Sequence, residues 1–365
     1  MQEKGMISTH QFIWMLFMII TSFTVLQIPG LLVLQSRQDA WLSVIGAWFM
    51  DVLLAIVYAY MGIRFPGENF VQYSQTILGR YIGKVVGILF PIYFLLVCAN
   101  LMRALVMLIN NAFIPDMPMT VSLAICYLVI GYAVKKGVET MARVSEFLGP
   151  LYFFSFVVLF ILLTPLIKLD NLKPQLYEGF YPAFIGAPFI LTFIGICIMM
   201  SMYIPICNRP ENGFLAKFIA VTMGAGVILM LVVTSIGIFG VDNAKVMVNP
   251  GLQTTKFIQI GDFFERVEVI WISIAIGAGV MASASLIWAS SLGISQVAEL
   301  ESYIPLVFPT VFISFVLSAT SFKSDIAMIQ FAYYSYPFLG IFIQSGLELF
   351  LFFMALLFKK RGHTI

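Results

Sequence analysis

The sequence predicts an all-α integral membrane protein with ten transmembrane helices in a 5+5 inverted repeat, the first and sixth helices being broken. Three observations predict it. Apolar residues make up 61% of the 365 residues and charged residues only 10%, where a soluble domain carries about 25% charged. Apolar runs of roughly 20 residues, enough for a ~30 Å hydrocarbon core, recur from one end to the other. The first and sixth runs are over-long and interrupted, and matched interruptions in two halves point to an inverted repeat with a binding site between them.

Ten segments follow, at about 8–35, 41–63, 84–112, 118–135, 144–167, 184–208, 214–241, 266–297, 303–321 and 332–358. They form one transmembrane domain, 1–365, whose repeats are 8–167 and 184–358. The first segment opens with Ser8 and Gln11 at capping-box spacing, which ties off free N–H groups. Gly5 to Ser36 carries no formal charge, and at ~1.5 Å per residue it outruns the bilayer core. The surplus falls at TSFTVLQIPG, Thr21 to Gly30, with three hydroxyls ahead of Pro29, which removes a backbone donor and crowds the carbonyl four residues back.

Segment 2 carries Asp51 about ten residues from its outer end, and segment 3 carries Arg103 about eleven from its own. At ~1.5 Å rise the two depths agree near 15 Å, so a structural Asp51–Arg103 ion pair is expected. Segment 3 also supplies Tyr93, able to gate a pocket, with Cys98 and Asn100. Arg143 and Glu146 open segment 5, and Asp262, Glu265, Arg266 and Glu268 precede segment 8; both groups read as solvated ion pairs near the interface. Segment 6 is charge-free from Gly179 to Asn208 and is interrupted through Gly195, Ser201 and Pro205. Segment 8 offers Gly277, Gly279, Ala282, Ser283 and Ser285, small enough for close helix packing; the two serine hydroxyls also suit a cation site against the first segment. Glu348 in segment 10 has no cation in sight, which leaves a structural carboxyl and a carrier of a coupling proton both open.

Lys and Arg are in excess on the side that holds the termini, so both termini are expected in the cytoplasm. Two outer loops are long. Lys168 to Tyr181 is aromatic and proline-bearing, and Asp242 to Glu265 contains QTTKFIQIGDFF, which suits a short amphipathic helix on the membrane surface. Each reads as a connector or a lid.

Other classes are excluded. Cys98, Cys126, Cys197 and Cys207 form no C-x-x-C pair, so neither a disulfide framework nor a metal site is expected. A net charge of +2 is too small to suggest nucleic acid. His10 and His363 lie near the ends, no Gly-rich phosphate loop is present, and the chain is read as no enzyme and as needing no cofactor. The first apolar run lacks a small-residue cleavage site and is expected to serve as the insertion signal itself.

The interruptions have a chemistry. Backbone groups freed by a break cannot stay unpaired in hydrocarbon and must face a cavity or a ligand. Half-helix N-termini favour a carboxylate, and freed carbonyls favour an ammonium or a small cation. A free amino acid carries both charges.

Five stretches in order, ISTHQF, QIPG, QDAWLS (Gln38 to Ser43), RVSEFLGPLYF (Arg143 to Phe153) and FFERVEVIW (Phe263 to Trp271), resemble the B subunits of the nutrient germinant receptors of bacterial spores, endospore germination permeases of the amino acid–polyamine–organocation superfamily. The resemblance implies a leucine-transporter-like fold, residence in the spore inner membrane with the termini on the core side, and assembly with A and C subunits. It implies a nutrient germinant, often an amino acid, held by Thr21, Ser22, Phe23 and Thr24, by Phe193, Gly195 and Ile196, by Tyr93 and Val97, and by Ser283. Cys197 stands where many relatives carry an acidic residue. A proton- or sodium-coupled amino-acid permease is the alternative, because fold does not decide function.

Overall fold

The computed structural model describes residues 5–25, 28–177, 179–247, 249–257 and 267–362. Among them the chain is helical, with one isolated bridge between Ile7 and Cys207. The first segment is α1 (Thr9–Thr24) and α2 (Ile28–Ser36), and the second is α3 (Ala40–Arg64). A short helix, α4 (Phe70–Leu78), precedes the third segment, α5 (Arg80–Phe113). The fourth and fifth are α6 (Met119–Lys135) and α7 (Val138–Leu163), and the sixth begins as α8 (Tyr181–Ile194) and resumes as α9 (Met200–Tyr203). The seventh is α10 (Gly213–Phe239); after the short α11 (Val241–Ala244) and α12 (Pro250–Thr255) come α13 (Val267–Val297) and α14 (Val307–Thr320). The tenth is built from α15 (Asp325–Gln330), α16 (Tyr336–Gly340) and α17 (Glu348–Leu357).

Among the described residues seven helical runs are long and apolar enough to cross a membrane, and Met119–Lys135 and Ile304–Thr320 are shorter apolar helices. One of the seven, Ile28–Arg64, joins the outer half of the first segment to the second through a 3₁₀ turn at Arg37–Asp39. The sixth segment is almost wholly enclosed by its neighbours, while the fifth turns most of its surface outward. Outward-facing Phe147, Leu128 and Phe312 are therefore lipid-facing side chains; with hydrocarbon as solvent their exposure costs nothing.

The predicted capping box is present: Ser8 Oγ accepts from Gln11 N, and the Gln11 side chain accepts from Ser8 N. Beside it, Ile7 N donates to Ile206 O and Asn208 N donates to Ile7 O, both at 2.9 Å, so the start of the first segment is clasped to the end of the sixth. Arg143 and Glu146 do not pair as read from their spacing. Glu146 accepts from Gln11 Nε2 at 2.9 Å and lies 3.0 Å from His10 Nδ1, while Arg143 reaches Glu139 at 3.9 Å. At the start of the third segment, Arg80 and Lys84 both grip Glu299, at 2.8 Å each.

The two interrupted segments differ in kind. In the first, α1 ends at Thr24 and α2 starts at Ile28. A Cβ on Gly30 would collide with the Met247 carbonyl, so glycine lets α2 lie against the outer loop. The sixth is not unwound. It tightens into 3₁₀ turns at Gly195–Met199 and again at Ile204–Ile206, around Pro205. Shorter i→i+3 hydrogen bonds keep that backbone satisfied in a dry interior. The tenth segment, which no sequence signal marked as irregular, starts at Asp325 and widens into π turns at Phe331–Ser335 and Ile341–Leu347.

The outer loop after the fifth segment is tied down: Lys168 N and Asn171 Nδ2 donate to Gly237 O, and Leu176 N donates to Asp39 Oδ1. Of the proposed amphipathic stretch, the structure describes α12 and the turn to Phe257; the rest, with Asp262, Glu265 and Arg266 of the charged cluster, lies outside the described residues, and Glu268 falls in the first turn of α13.

Candidate functional site

Four aromatic side chains from four segments meet at the level of the interruptions. Phe23 at the end of α1 faces Phe193 at 5.5 Å and Tyr336 at 5.3 Å between ring centroids, and Phe193 and Tyr336 are 4.8 Å apart. Tyr93 stacks on Tyr336, their hydroxyls 2.8 Å apart. Beyond the rings lies a polar end. Tyr336 donates to Thr192 O at 3.3 Å, and Gln344 Nε2 donates to Thr192 O at 2.9 Å and to the Tyr93 hydroxyl. A Cβ on Gly195 would meet Gln344 Oε1, so that any other residue there would push the carboxamide aside.

The expected pocket residues divide. Phe23, Phe193, Tyr93 and Gly195 line the meeting point, with Ile196 buried in the adjoining 3₁₀ turn and Val97 buried one turn beyond Tyr93 on α5. Thr21 and Thr24 remain helical and spend their hydroxyls on Phe17 O and Ile20 O, both at 2.7 Å, so they present no free donor. This is the usual back-bonding of threonine in a dry helix. Ser22 and Ser283 differ: each is buried with a hydroxyl that has no hydrogen-bond partner. Ser285 turns back onto Met281 O, whereas among the described residues Ser22 and Ser283, like Ser201 and Tyr203 in the sixth segment, have hydroxyls without a hydrogen-bond partner. Among the described residues no cluster of His, Cys, Asp or Glu could hold a metal ion.

The intramembrane charges pair otherwise than their depths suggested. Asp51 Oδ1 accepts from Lys217 Nζ at 3.0 Å, and both side chains are completely buried. Lys217 also lies 4.2 Å above the Tyr58 ring, a cation–π contact. Arg103 instead donates to Ser318 O at 2.9 Å, approaches Asp325 at 3.7 Å and stands over Phe322. Equal depth did not make a pair because depth says nothing of facing: α3 packs on α8 and α10, whereas this part of α5 meets α14. Glu348 accepts from Tyr73 at 2.8 and 2.9 Å and, among the described residues, has no cation at ion-pair distance.

These groups connect to the pocket. Tyr58 donates to the Gln344 carbonyl at 2.9 Å, and Glu348 follows Gln344 at the end of the same π turn. Sequence reasoning missed Gln344, Tyr336, Thr192, Tyr58, Tyr73 and Lys217. Lys217 had a signal: it lies inside the seventh apolar segment, where a charge invites a partner.

One small cavity borders the site: about 20 Å³ in volume and lined by Phe23, Asn100, Phe193, Phe331 and Tyr336, it has room for about one water. A larger one of about 550 Å³ opens between α5, α12, α13 and α15, with Asn111, Gln253, Lys256 and Asp325 on its walls. The larger one shares no lining residue with the small one.

The chain matches the family described as spore germination protein over residues 6–326. It belongs to that family. Spore germination protein KB of Bacillus subtilis is 25% identical, over 98% of this chain and 97% of its own length. Spore germination protein YndE of the same organism is also 25% identical, over 75% and 76%. Among solved structures, a nucleobase-cation-symport-1 family transporter, closed on bromovinylhydantoin, superposes with a TM-score of 0.73 at 11% identity, covering 96% of this chain and 78% of that one. A Na⁺-coupled sialic acid symporter in a substrate-bound outward-open state gives 0.59 at 12%, covering 93% and 79%. The family member is therefore a multi-pass, permease-like germination protein on a leucine-transporter-like fold, and not an enzyme.

Proposed function

We propose that this chain is the nutrient-sensing subunit of a spore germinant receptor, binding its germinant between the first, third, sixth and tenth segments. The observation that carries the reading is the meeting of Phe23, Phe193, Tyr93 and Tyr336 at the two interruptions. Rings from four segments give a ligand leverage over the relative positions of those segments, which is what a receptor on a transporter scaffold requires. A small nutrient, an amino acid first among them, suits a site that pairs aromatic walls with one polar end. Its setting would be the inner membrane of the spore, with both termini on the core side and A and C subunits as partners.

A proton- or sodium-coupled amino-acid permease is the second reading. The fully buried Asp51–Lys217 pair, the cation-free Glu348 and the unpartnered Ser22 and Ser283 hydroxyls favour it. Thermal stability of the purified chain against amino acids, sugars and nucleosides, followed by uptake of any stabilising compound into proteoliposomes, separates the two. Stabilisation without flux supports the sensor. Flux that follows a proton or sodium gradient replaces it with the permease, and no stabilisation by any compound refutes the pocket.

A further inference from the structure

We infer that the polar end of the pocket is a subsite for an N–H-bearing headgroup, an amide or an ammonium, and that Gln344 fills it with its own carboxamide until a ligand displaces it. This deepens the proposed function by naming the chemistry at one end of the site.

Gln344 is buried, and its side chain reaches out of the tenth segment into the sixth. Its Nε2 donates to two acceptors from two other segments, the Thr192 carbonyl and the Tyr93 hydroxyl. Its Oε1 occupies the space beside Gly195 that any other residue's Cβ would need. The hydroxyl of Tyr336 also donates to Thr192 O, which leaves Tyr93 to donate to Tyr336 and to accept from Gln344. Both positions that meet Nε2 are thus acceptors, arranged for a group carrying at least two N–H bonds.

Without Gln344, Thr192 O keeps only the 3.3 Å bond from Tyr336 and the Tyr93 hydroxyl loses the N–H it accepts, so two hydrogen bonds are forfeited in a dry interior. The adjoining cavity holds about 20 Å³, room for about one water and too little for a nutrient. A ligand therefore exchanges one N–H donor for another at nearly equal hydrogen-bond count, and the displaced side chain is free to move with the π turn that bears it. The headgroup is set by the acceptors and the tail by the Phe23, Phe193 and Tyr336 rings. A carboxylate headgroup is excluded, because it brings an acceptor to acceptors.

The test vacates the subsite. Gln344→Ala in the full-length, detergent-purified chain lowers Tm relative to wild type. Acetamide or methylammonium chloride then raises the Tm of the variant and leaves wild type unmoved, while sodium acetate raises neither. Which of the two restores Tm fixes whether the headgroup is neutral or charged. Gln344→Ser, whose hydroxyl can turn back on its own helix as Ser290 does on Leu286 O, offers the same space if the alanine variant fails to accumulate. Equal shifts for wild type and variant, or no rescue by either N–H compound, overturn the inference. Rescue does not depend on the nutrient. A nutrient that stabilises wild type while neither compound rescues the variants refutes only the subsite, and rescue with no stabilising nutrient refutes only the sensor.

Discussion

Removing one member of the Asp51–Lys217 pair is expected to be among the costliest single changes in the chain. The two charges are 3.0 Å apart and neither is touched by solvent. At an effective dielectric of about 20 that separation corresponds to an attraction of about 5–6 kcal/mol, most of it offset by the desolvation of both ions. Truncating a partner recovers none of that desolvation for the one left behind, so Asp51→Asn or Lys217→Met should each cost about 3–5 kcal/mol. The double variant leaves no orphan charge and should lie well above the sum of the singles, with a coupling of about 2–4 kcal/mol. Reversible unfolding in mixed micelles, followed by tryptophan fluorescence, measures all four corners. Additivity within about 0.5 kcal/mol would show that the ions do not act together. Arg103→Gln supplies the control: held by Ser318 and Asp325, it should add to Asp51→Asn without coupling.

Gly195→Val should abolish ligand-induced stabilisation while leaving membrane insertion intact, because its Cβ meets Gln344 Oε1; overpacking of this kind costs about 1–3 kcal/mol, and unchanged ligand affinity would mean the glycine serves only the 3₁₀ turn. Tyr73→Phe deletes the hydroxyl that bonds both Glu348 oxygens and should cost about 1–3 kcal/mol in the same unfolding assay, a loss that Glu348→Leu in the same chain should largely cancel; persistence of the loss would mean the phenol acts through something else. Hydrogen bonds from Lys84 and Arg80 hold the Glu299 carboxyl below its usual range. A depressed carboxyl contributes above its unfolded value and loses that contribution as pH falls through the folded one. The Tm difference between wild type and Glu299→Gln should therefore be present near pH 7 and fade as pH falls below the usual carboxylate range, and a difference independent of pH would dismiss the clamp.

The membrane segments were legible because lipid imposes a length and forbids charge, and both constraints are written residue by residue. The first interruption was legible for the same reason: Pro29 and the hydroxyls before it have no cheap place in a straight span. What was not legible depended on which way a helix faces. Asp51 and Arg103 share a depth but look toward different neighbours, and Lys217, near the start of α10, meets Asp51 because α3 packs against that helix. Gln344 was hidden because one amide in an apolar run has no period to betray it. The short α4 escaped because a connector that bridges two spans needs no apolar run of spanning length, although it delivers Tyr73 to Glu348.

The two π turns of the tenth segment have a mechanical consequence. Each holds one more residue than an α turn would in the same length, and an α-helix advances about 100° per residue. If the surplus residue at Ile341–Leu347 passes to the neighbouring turn, every side chain it passes swings by about that angle while the helix keeps nearly all of its hydrogen bonds. Gln344 lies within that turn and Glu348 immediately follows it. The segment can act as a cog, turning one polar tooth out of the pocket and the next toward the buried charges, with no hinge and no unfolding.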